Sequence, residues 1–231
     1  MTYILVDTQN MFFRARHVSG RASSLDEKIG LAFHIMFNSV KKAHQMFNGG
    51  HVVFCMEGRS WRKDVYEPYK KNRKVVLDKR SVKEQEEDQF WWEAYDDFLK
   101  YVAEQTNCSA IRSSIAEADD CIALTIKNLR KLSPTKTIYI ITSDMDYLQI
   151  ADESISIINL KYKNLQDSKN STKNKDCDLF CKIILGDKSD NIPGIFKKCG
   201  PKTALKYFED KELFEKALQK ENAYEKFSFN K

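Results

Sequence analysis

No apolar run in this 231-residue chain approaches the length needed to span a bilayer, so a transmembrane helix is not expected. The start, MTYILVDTQN, has neither a basic opening nor a long apolar stretch. A secretory leader is therefore not expected, and the segment reads as a strand from its third residue. The six cysteines (Cys55, Cys108, Cys121, Cys177, Cys181, Cys199) form no CxxC pair, and the four histidines (His17, His34, His44, His51) lie far from most of them. That spacing argues against a zinc site. Cys55 and Cys121 sit in apolar runs, as small core residues do. Reduced thiols without an export signal point to the cytoplasm. No internal repeat and no oligomerisation device is visible, so a monomer with no membrane partner is expected. The one low-complexity stretch is the Lys/Asn-rich segment 161–176.

What is present can build a core. Hydrophobic residues make up 42% of the chain and aromatics 12%, which argues against disorder. The length suits one large domain, or one with a small appendage. The net charge is only +5 but is unevenly placed. Residues 62–83 carry nine Lys/Arg against three Asp/Glu, and residues 84–97 carry seven Asp/Glu with no Lys/Arg. That segregation suits a polyanion held by flanking cations and cleaved at an acidic centre. For any single run, a solvated charged helix is the plainer reading.

Periodicity organises the chain as α/β. YILVD (3–7) reads as a buried parallel strand, followed by a turn-like stretch. A helix follows over 25–47, opened by a Ser24/Glu27 capping box and carrying Ile29, Ala32, Phe33, Met36, Val40, Ala43 and Phe47 at helical spacing. Asn48-Gly49-Gly50 stops it, and HVVFCM (51–56) completes a βαβ unit. Residues 84–106 read as a helix with Trp92, Tyr95, Phe98, Leu99 and Val102 as its apolar stripe. Residues 108–113 form a weak strand, 117–132 a helix, 135–144 and 154–160 strands, and 161–176 a mobile loop. A short helix over 178–185, a turn, and a helix opened by Pro201 close the reading.

Nine carboxylates fall in five clusters at strand ends or helix starts. They are Asp7; Glu57; Glu117, Asp119 and Asp120; Asp144 and Asp146; and Asp187 and Asp190. Ligands of open α/β sheets bind at the carboxyl edge of the strands. Like charges gathered there raise one another's pKa, and a divalent cation relieves the repulsion. Each cluster also has a purely structural reading: a helix cap for Asp7, dipole stabilisation for Glu117–Asp120, and Asx-type turns for the aspartate pairs. Five clusters on one sheet edge are harder to explain in that way.

The stretch WRKDVYEPYKKNR alternates Arg62, Lys63, Lys70, Lys71 and Arg73 with Trp61, Tyr66 and Tyr69. Cations bind phosphates and aromatic faces stack on unpaired bases, although an exposed basic loop with inward-packed aromatics would look the same. NIPGIFKKCGPKTALKYF (191–208) has the look of a helix-hairpin-helix element, with Lys197, Lys198 and Lys202 adding charge near a helix N-terminus.

Taken in order, VDTQN, FCMEGRSWRKDVYEPYKKNR, EADD, ITSDMDYLQ and ILGDKSDNIPGI with KCGPKTALKYF resemble the flap endonuclease/5′-nuclease family. Within it the T-even phage ribonuclease H branch, a primer-removing 5′-3′ exonuclease, stands nearest. The resemblance covers residues 3–208 and implies a mostly parallel central sheet flanked by helices, a helical arch, and a C-terminal helix-hairpin-helix element. It divides the chain into a nuclease core over 1–176, with the arch region at about 58–106, and a DNA-binding region over 177–231 that is short relative to the family.

The resemblance also implies two Mg²⁺ ions, with Mn²⁺ as a substitute, and hydrolysis to a 5′-phosphate and a 3′-hydroxyl. Asp7, Glu57, Asp119 and Asp144 would hold the first ion. Glu117, Asp120, Asp146, Asp187 and Asp190 would hold the second or orient its waters. Lys70 and Arg73 would stabilise the scissile phosphate. Arg62, Lys63, Tyr69, Lys71, Lys197, Lys198 and Lys202 would contact nucleic acid. The implied partners are DNA and RNA–DNA duplexes with 5′ ends or flaps, and, by analogy, a single-strand-binding protein. Two departures stand out. Glu57 occupies a position where the family usually has Asp. Lys197-Lys198-Cys199-Gly200 replaces a more glycine-rich hairpin, which leaves the family's K⁺ site open here. A PIN-type single-strand ribonuclease and a non-catalytic branched-DNA-binding fragment are the alternatives.

Overall fold

The structure is a computed structural model describing residues 1–231. Five parallel strands form its sheet: β1 (Tyr3–Asp7), β2 (His51–Met56), β3 (Ser109–Arg112), β4 (Ile138–Ile141) and β5 (Ile155–Ile158), in the order β3-β2-β1-β4-β5. The register pairs Leu5 with Val53 on one side and with Ile140 on the other. Strand residues alternate between the two faces. Ile4, Val6, Val52, Phe54 and Met56 pack under α1 (Thr8–Ser19), α2 (Leu25–Met46) and α5 (Val82–Gln105). Leu5, Val53, Cys55, Ile138 and Ile140 pack under α6 (Ala118–Leu132) on the opposite face. Burial on both faces is why these strands read as continuous apolar runs.

By contacts the chain divides into two compact units. One comprises Met1–Trp61 with Arg80–Ser168; the other comprises Arg62–Lys79 with Lys169–Lys231. The second unit holds α3 (Arg62–Val65), α4 (Lys71–Leu77), α7 (Lys175–Leu185), α8 (Pro201–Glu209), α9 (Lys211–Glu221) and α10 (Tyr224–Asn230). Its core is Ile184, Ile195, Phe196, Ala204, Phe214, Leu218 and Ala223. The stretch 58–106, taken from sequence as one region, is thus shared: residues 62–79 pack with the second unit, and 80–106 with the first.

Three local expectations need correction. The turn-like stretch after Asp7 is a 12-residue helix, α1. It buries Thr8, Met11, Phe12, Ala15 and Ser19, a helical spacing hidden by polar neighbours. In α5 the buried stripe runs through Trp91, Tyr95, Phe98 and Val102, whereas Trp92 is 39% exposed. The 91-95-98-102 spacing keeps to one face of a 3.6-residue helix, and Trp92 is turned about 100° away from it. Segment 161–176 is not featureless: a 3₁₀ turn over Leu165–Asp167 buries Leu165 against the sheet, and α7 begins at Lys175. The Ser24/Glu27 capping box forms as read, with Glu27 N donating to Ser24 Oγ at 3.2 Å. No helix is long and apolar enough to cross a membrane.

Candidate active site

β1 and β4 are neighbours, yet the chain leaves β1 toward β2 and returns at β4 on its other side. That reversal makes the gap beyond β1 and β4 a topological switch point, where open α/β sheets bind ligands. Asp7 ends β1 and Asp144 follows β4, so the two straddle it. Glu57 follows β2, and Glu117 stands at the N-cap of α6 after β3.

Asp7 is 8% exposed. Its Oδ1 accepts from Asn10 N at 3.2 Å, capping α1, and its Oδ2 accepts from Thr142 Oγ1 at 3.0 Å. Burial, with the negative charges of Asp144 and Asp119 adding to it, pushes the carboxyl up to about 6 against these two hydrogen bonds. Glu117 is 3% exposed, and Ser60 Oγ donates to its Oε2 at 2.6 Å. Glu117, Asp119 and Asp120 each bring one carboxylate oxygen to within 4.8 Å of the others. Glu57 Oε2 accepts from Ala118 N at 3.0 Å, which links the end of β2 to the start of α6. Asp144 Oδ1 accepts from Asp146 N at 2.9 Å, and Asp144 N donates to Thr142 Oγ1 at 3.1 Å.

Gly58 allows the strand end to approach this closely: a Cβ there would lie 1.8 Å from Ser113 O. The structural readings of these acids therefore hold alongside the clustering. Asp7, Asp144 and Asp120 each serve a cap or turn while lying on one acid-lined edge.

The donor set is all hard carboxylate oxygen, which fits a hard divalent cation and not a soft one. A buried carboxyl held against two like charges is the kind of group whose repulsion a cation relieves.

A family model described as "5′-3′ exonuclease, N-terminal resolvase-like domain" matches residues 2–177. The chain belongs to this 5′-3′ exonuclease family. The 5′-3′ exonuclease of Mycoplasmopsis pulmonis is 28% identical over 235 residues, covering 97% of this chain and 72% of that protein. Ribonuclease H of Enterobacteria phage T4 is 29% identical over 182 residues, covering 73% of this chain and 56% of the phage protein. Among solved structures, the bacteriophage T5 flap endonuclease in a pseudo-enzyme–product complex with DNA and metal ions superposes with a TM-score of 0.77. The superposition covers 100% of this chain and 87% of that one at 19% identity, a likeness of fold.

In this family member the remaining expected site residues lie in the second unit. There Asp190 is a hub: Arg73 Nη2 pairs with its Oδ1 at 2.6 Å, Tyr69 Oη donates to its Oδ2 at 3.2 Å, and Lys70 N donates to its carbonyl at 2.9 Å. Lys70 adopts a left-handed backbone, φ 55°, at the N-cap of α4, and its Nζ lies 5.0 Å from the Tyr69 ring centroid. A non-glycine residue in that region costs about 1 kcal/mol or more and persists where neighbours pin it.

Asp187 pairs with Lys182 and accepts from Ser189 N at 2.6 Å. Partial burial raises its carboxyl, but the Lys182 ammonium and Ser189 outweigh that and bring it down to about 2. Asp187 and Ile192 exchange backbone hydrogen bonds of 2.8 and 2.7 Å, closing the loop that Gly186, at φ 69°, opens.

The expected nucleic-acid contacts differ in setting. Tyr69 is only 5% exposed, so its ring positions Asp190 and offers no open face to a base. Lys71 pairs with Glu67 at 2.6 Å. Lys63, Lys197, Lys198 and Lys202 are exposed, and Arg62 is half-buried in α3. Sequence reasoning did not single out Thr142, Asn10, Ser60 and Lys182, which hold the acids. A lone Thr, Asn or Ser carries no signal of its partner until the fold places it.

Proposed function

We propose that the chain is a Mg²⁺-dependent, structure-specific 5′ nuclease that hydrolyses phosphodiesters at 5′ ends and flaps of DNA and RNA–DNA duplexes, leaving a 5′-phosphate and a 3′-hydroxyl. The observation that carries this reading is Asp7: a buried carboxyl, raised to about 6, at a switch point shared with Asp119 and Asp144. Asp7, Glu57, Asp119 and Asp144 are the proposed holders of one ion. Glu117, Asp120, Asp146, Asp187 and Asp190 are proposed for a second ion or its waters. When bound, the pair of ions neutralises charge on the scissile phosphate and acidifies the attacking water.

The chain's own groups supply the rest. Thr142 and Asn10 keep the Asp7 carboxylate oriented. Ser60 does the same for Glu117. Arg73 and Lys70 are the cations for the phosphate, and Tyr69 and Asp190 hold Arg73 ready in the meantime. Residues 191–208, with Lys197, Lys198 and Lys202, are proposed to grip duplex phosphates.

A 5′-labelled flap duplex incubated with and without Mg²⁺ tests the reading. Expected are cuts near the junction that need the ion and vanish in Asp144→Ala and Asp146→Ala. Preference for a plain RNA loop over the flap would instead favour PIN-type chemistry. Flap binding with no turnover at any Mg²⁺ or Mn²⁺ concentration would make the chain a binding module.

A further inference from the structure

A buried polar group without a hydrogen-bond partner is uncommon in a folded chain, because it forfeits what water would have given it. In this chain the buried side-chain polar atoms without a partner are three hydroxyls, those of Tyr95, Ser143 and Tyr147. All three flank the acid edge. Tyr95 shares a cavity wall with Glu57. Ser143 stands between Thr142, which holds Asp7, and Asp144. Tyr147 follows Asp146 in the 3₁₀ turn Met145–Ile150, whose N-cap is Asp144.

Tyr147 is the case that packing explains least. It is 4% exposed, and its ring belongs to the core cluster of Leu5, Cys55, Cys121 and Ile122. Phenylalanine would fill the same space, so the core accounts for the ring and not for the oxygen. Acids from three separate elements act on that oxygen. Burial first, then the charges of Asp7 at the end of β1, Asp119 in α6 and Asp144 after β4, keep its proton on well past the ordinary phenol range. A neutral hydroxyl is thus fixed in the field of three carboxylates, none of which accepts from it. A neutral phenol offers one O–H and an acceptor oxygen. Hard divalent ions, Mg²⁺ above all, keep several of their waters, and a cation's waters are strong donors. The phenol accepts from such a water while donating to a carboxylate, a pairing that an apolar side chain cannot supply.

We propose that Tyr147 is a positioning residue of the acid edge: its hydroxyl accepts from a water carried by the ion that Asp7, Asp119 and Asp144 are proposed to hold, and donates to one of those carboxylates. The inference rests on the proposed function only for the presence of that ion. It sets Tyr147 apart from a residue that serves the fold alone.

Tyr147→Phe removes one oxygen and keeps the ring. Three measurements on the full chain compare it with wild type: calorimetric titration of Mg²⁺, urea unfolding in chelator, and single-turnover cleavage of a 5′-labelled flap duplex across Mg²⁺ concentrations. Expected is a Mg²⁺ affinity about 10-fold weaker, the scale of losing an outer-sphere partner. The Mg²⁺ requirement for cleavage should rise by the same factor, with the rate at saturating Mg²⁺ within a few-fold of wild type. Stability in chelator should equal or exceed that of wild type, because an unsatisfied polar group has gone. Unchanged Mg²⁺ affinity would overturn the proposal. So would a variant destabilised in chelator, since the hydroxyl would then be serving the fold without any ion. A wild type that binds Mg²⁺ but leaves the flap intact defeats the nuclease reading, while the affinity comparison still decides on Tyr147. A wild type that cleaves, beside a variant that binds Mg²⁺ equally well, defeats this inference alone. A wild type that takes up no Mg²⁺ defeats both.

Discussion

Thr142 Oγ1 donates a 3.0 Å hydrogen bond to Asp7 Oδ2, tying the residue after β4 to the last residue of β1 across the switch point. The same oxygen accepts from Asp144 N at 3.1 Å, so one hydroxyl orients two acids. Thr142→Val keeps the shape and removes that hydroxyl. The variant should fold but bind divalent ions more weakly, by about 10-fold or more, as lost outer-sphere support commonly does. Calorimetric titration of Mg²⁺ or Mn²⁺ into both proteins measures this, and equal affinities would contradict it.

Asp7 also sets a pH dependence of stability. Its folded carboxyl titrates at about 6, above the ordinary 3.8. The folded state therefore holds this proton more tightly than the unfolded chain. Its contribution is fully present below the unfolded value and is lost as pH rises through about 6. Without divalent ions, wild type should lose roughly 2.4 kcal/mol between about pH 4 and pH 7 relative to Asp7→Asn, at 1.36 kcal/mol per pKa unit. Asp7→Asn should thus be the more stable protein at neutral pH in chelator while being inactive. Denaturant melts across that range, with and without Mg²⁺, decide the point; the ion should close the gap.

The Asp190 hub separates positioning from charge. Tyr69→Phe removes the 3.2 Å hydrogen bond to Asp190 but leaves the Arg73 pair. It should slow cleavage only a few-fold. Arg73→Ala removes the proposed phosphate cation and should slow cleavage by about 100-fold, the scale of losing one transition-state donor. Single-turnover rates on one flap substrate compare the two directly, and equal losses would deny Arg73 its role.

Gly58→Ala asks for space the fold does not have. A Cβ would stand 1.8 Å from Ser113 O and 2.7 Å from Ala116 O, both backbone atoms that cannot swing aside. The end of β2 would have to move, carrying Glu57 with it. Thermal stability should fall by about 1–3 kcal/mol, as overpacking does, and metal affinity should fall along with it. Unchanged melting would show that the strand end is looser than this contact implies.

Trp91 and Trp92 differ by one position and should behave as opposites. Trp91 is 2% exposed and packs edge to face on Phe12 at 5.6 Å. Trp91→Ala should cost about 3–5 kcal/mol. Trp92→Ala, at a 39% exposed position, should cost far less. Urea titrations of the two variants provide the comparison.

The parallel sheet was legible because strands buried on both faces are written as unbroken apolar runs, as in YILV and HVVFCM. The acid clusters were legible because aspartate and glutamate at strand ends stand out against those runs. What could not be read was which partner holds each acid. Thr142, Ser60 and Lys182 are ordinary residues until folding sets them against Asp7, Glu117 and Asp187. Helix α1 was missed because its inward face is narrow and its flanks are polar. Two adjacent tryptophans leave the phase of α5 ambiguous in sequence; both touch Phe12 on α1, but only Trp91 is buried. Tyr69 read as a base-stacking face because burial by a distant segment leaves no local mark.

The carboxyl edge draws its groups from the ends of β1, β2 and β4 and from the start of α6, elements separated by long crossovers. No contiguous peptide cut from the chain can reproduce that arrangement, and fraying any one strand takes its acid out of reach of the others. Ion affinity should therefore act as a gauge of whether the entire sheet is assembled. A damaged or partly folded copy would fail to load and would stay harmless to nucleic acid.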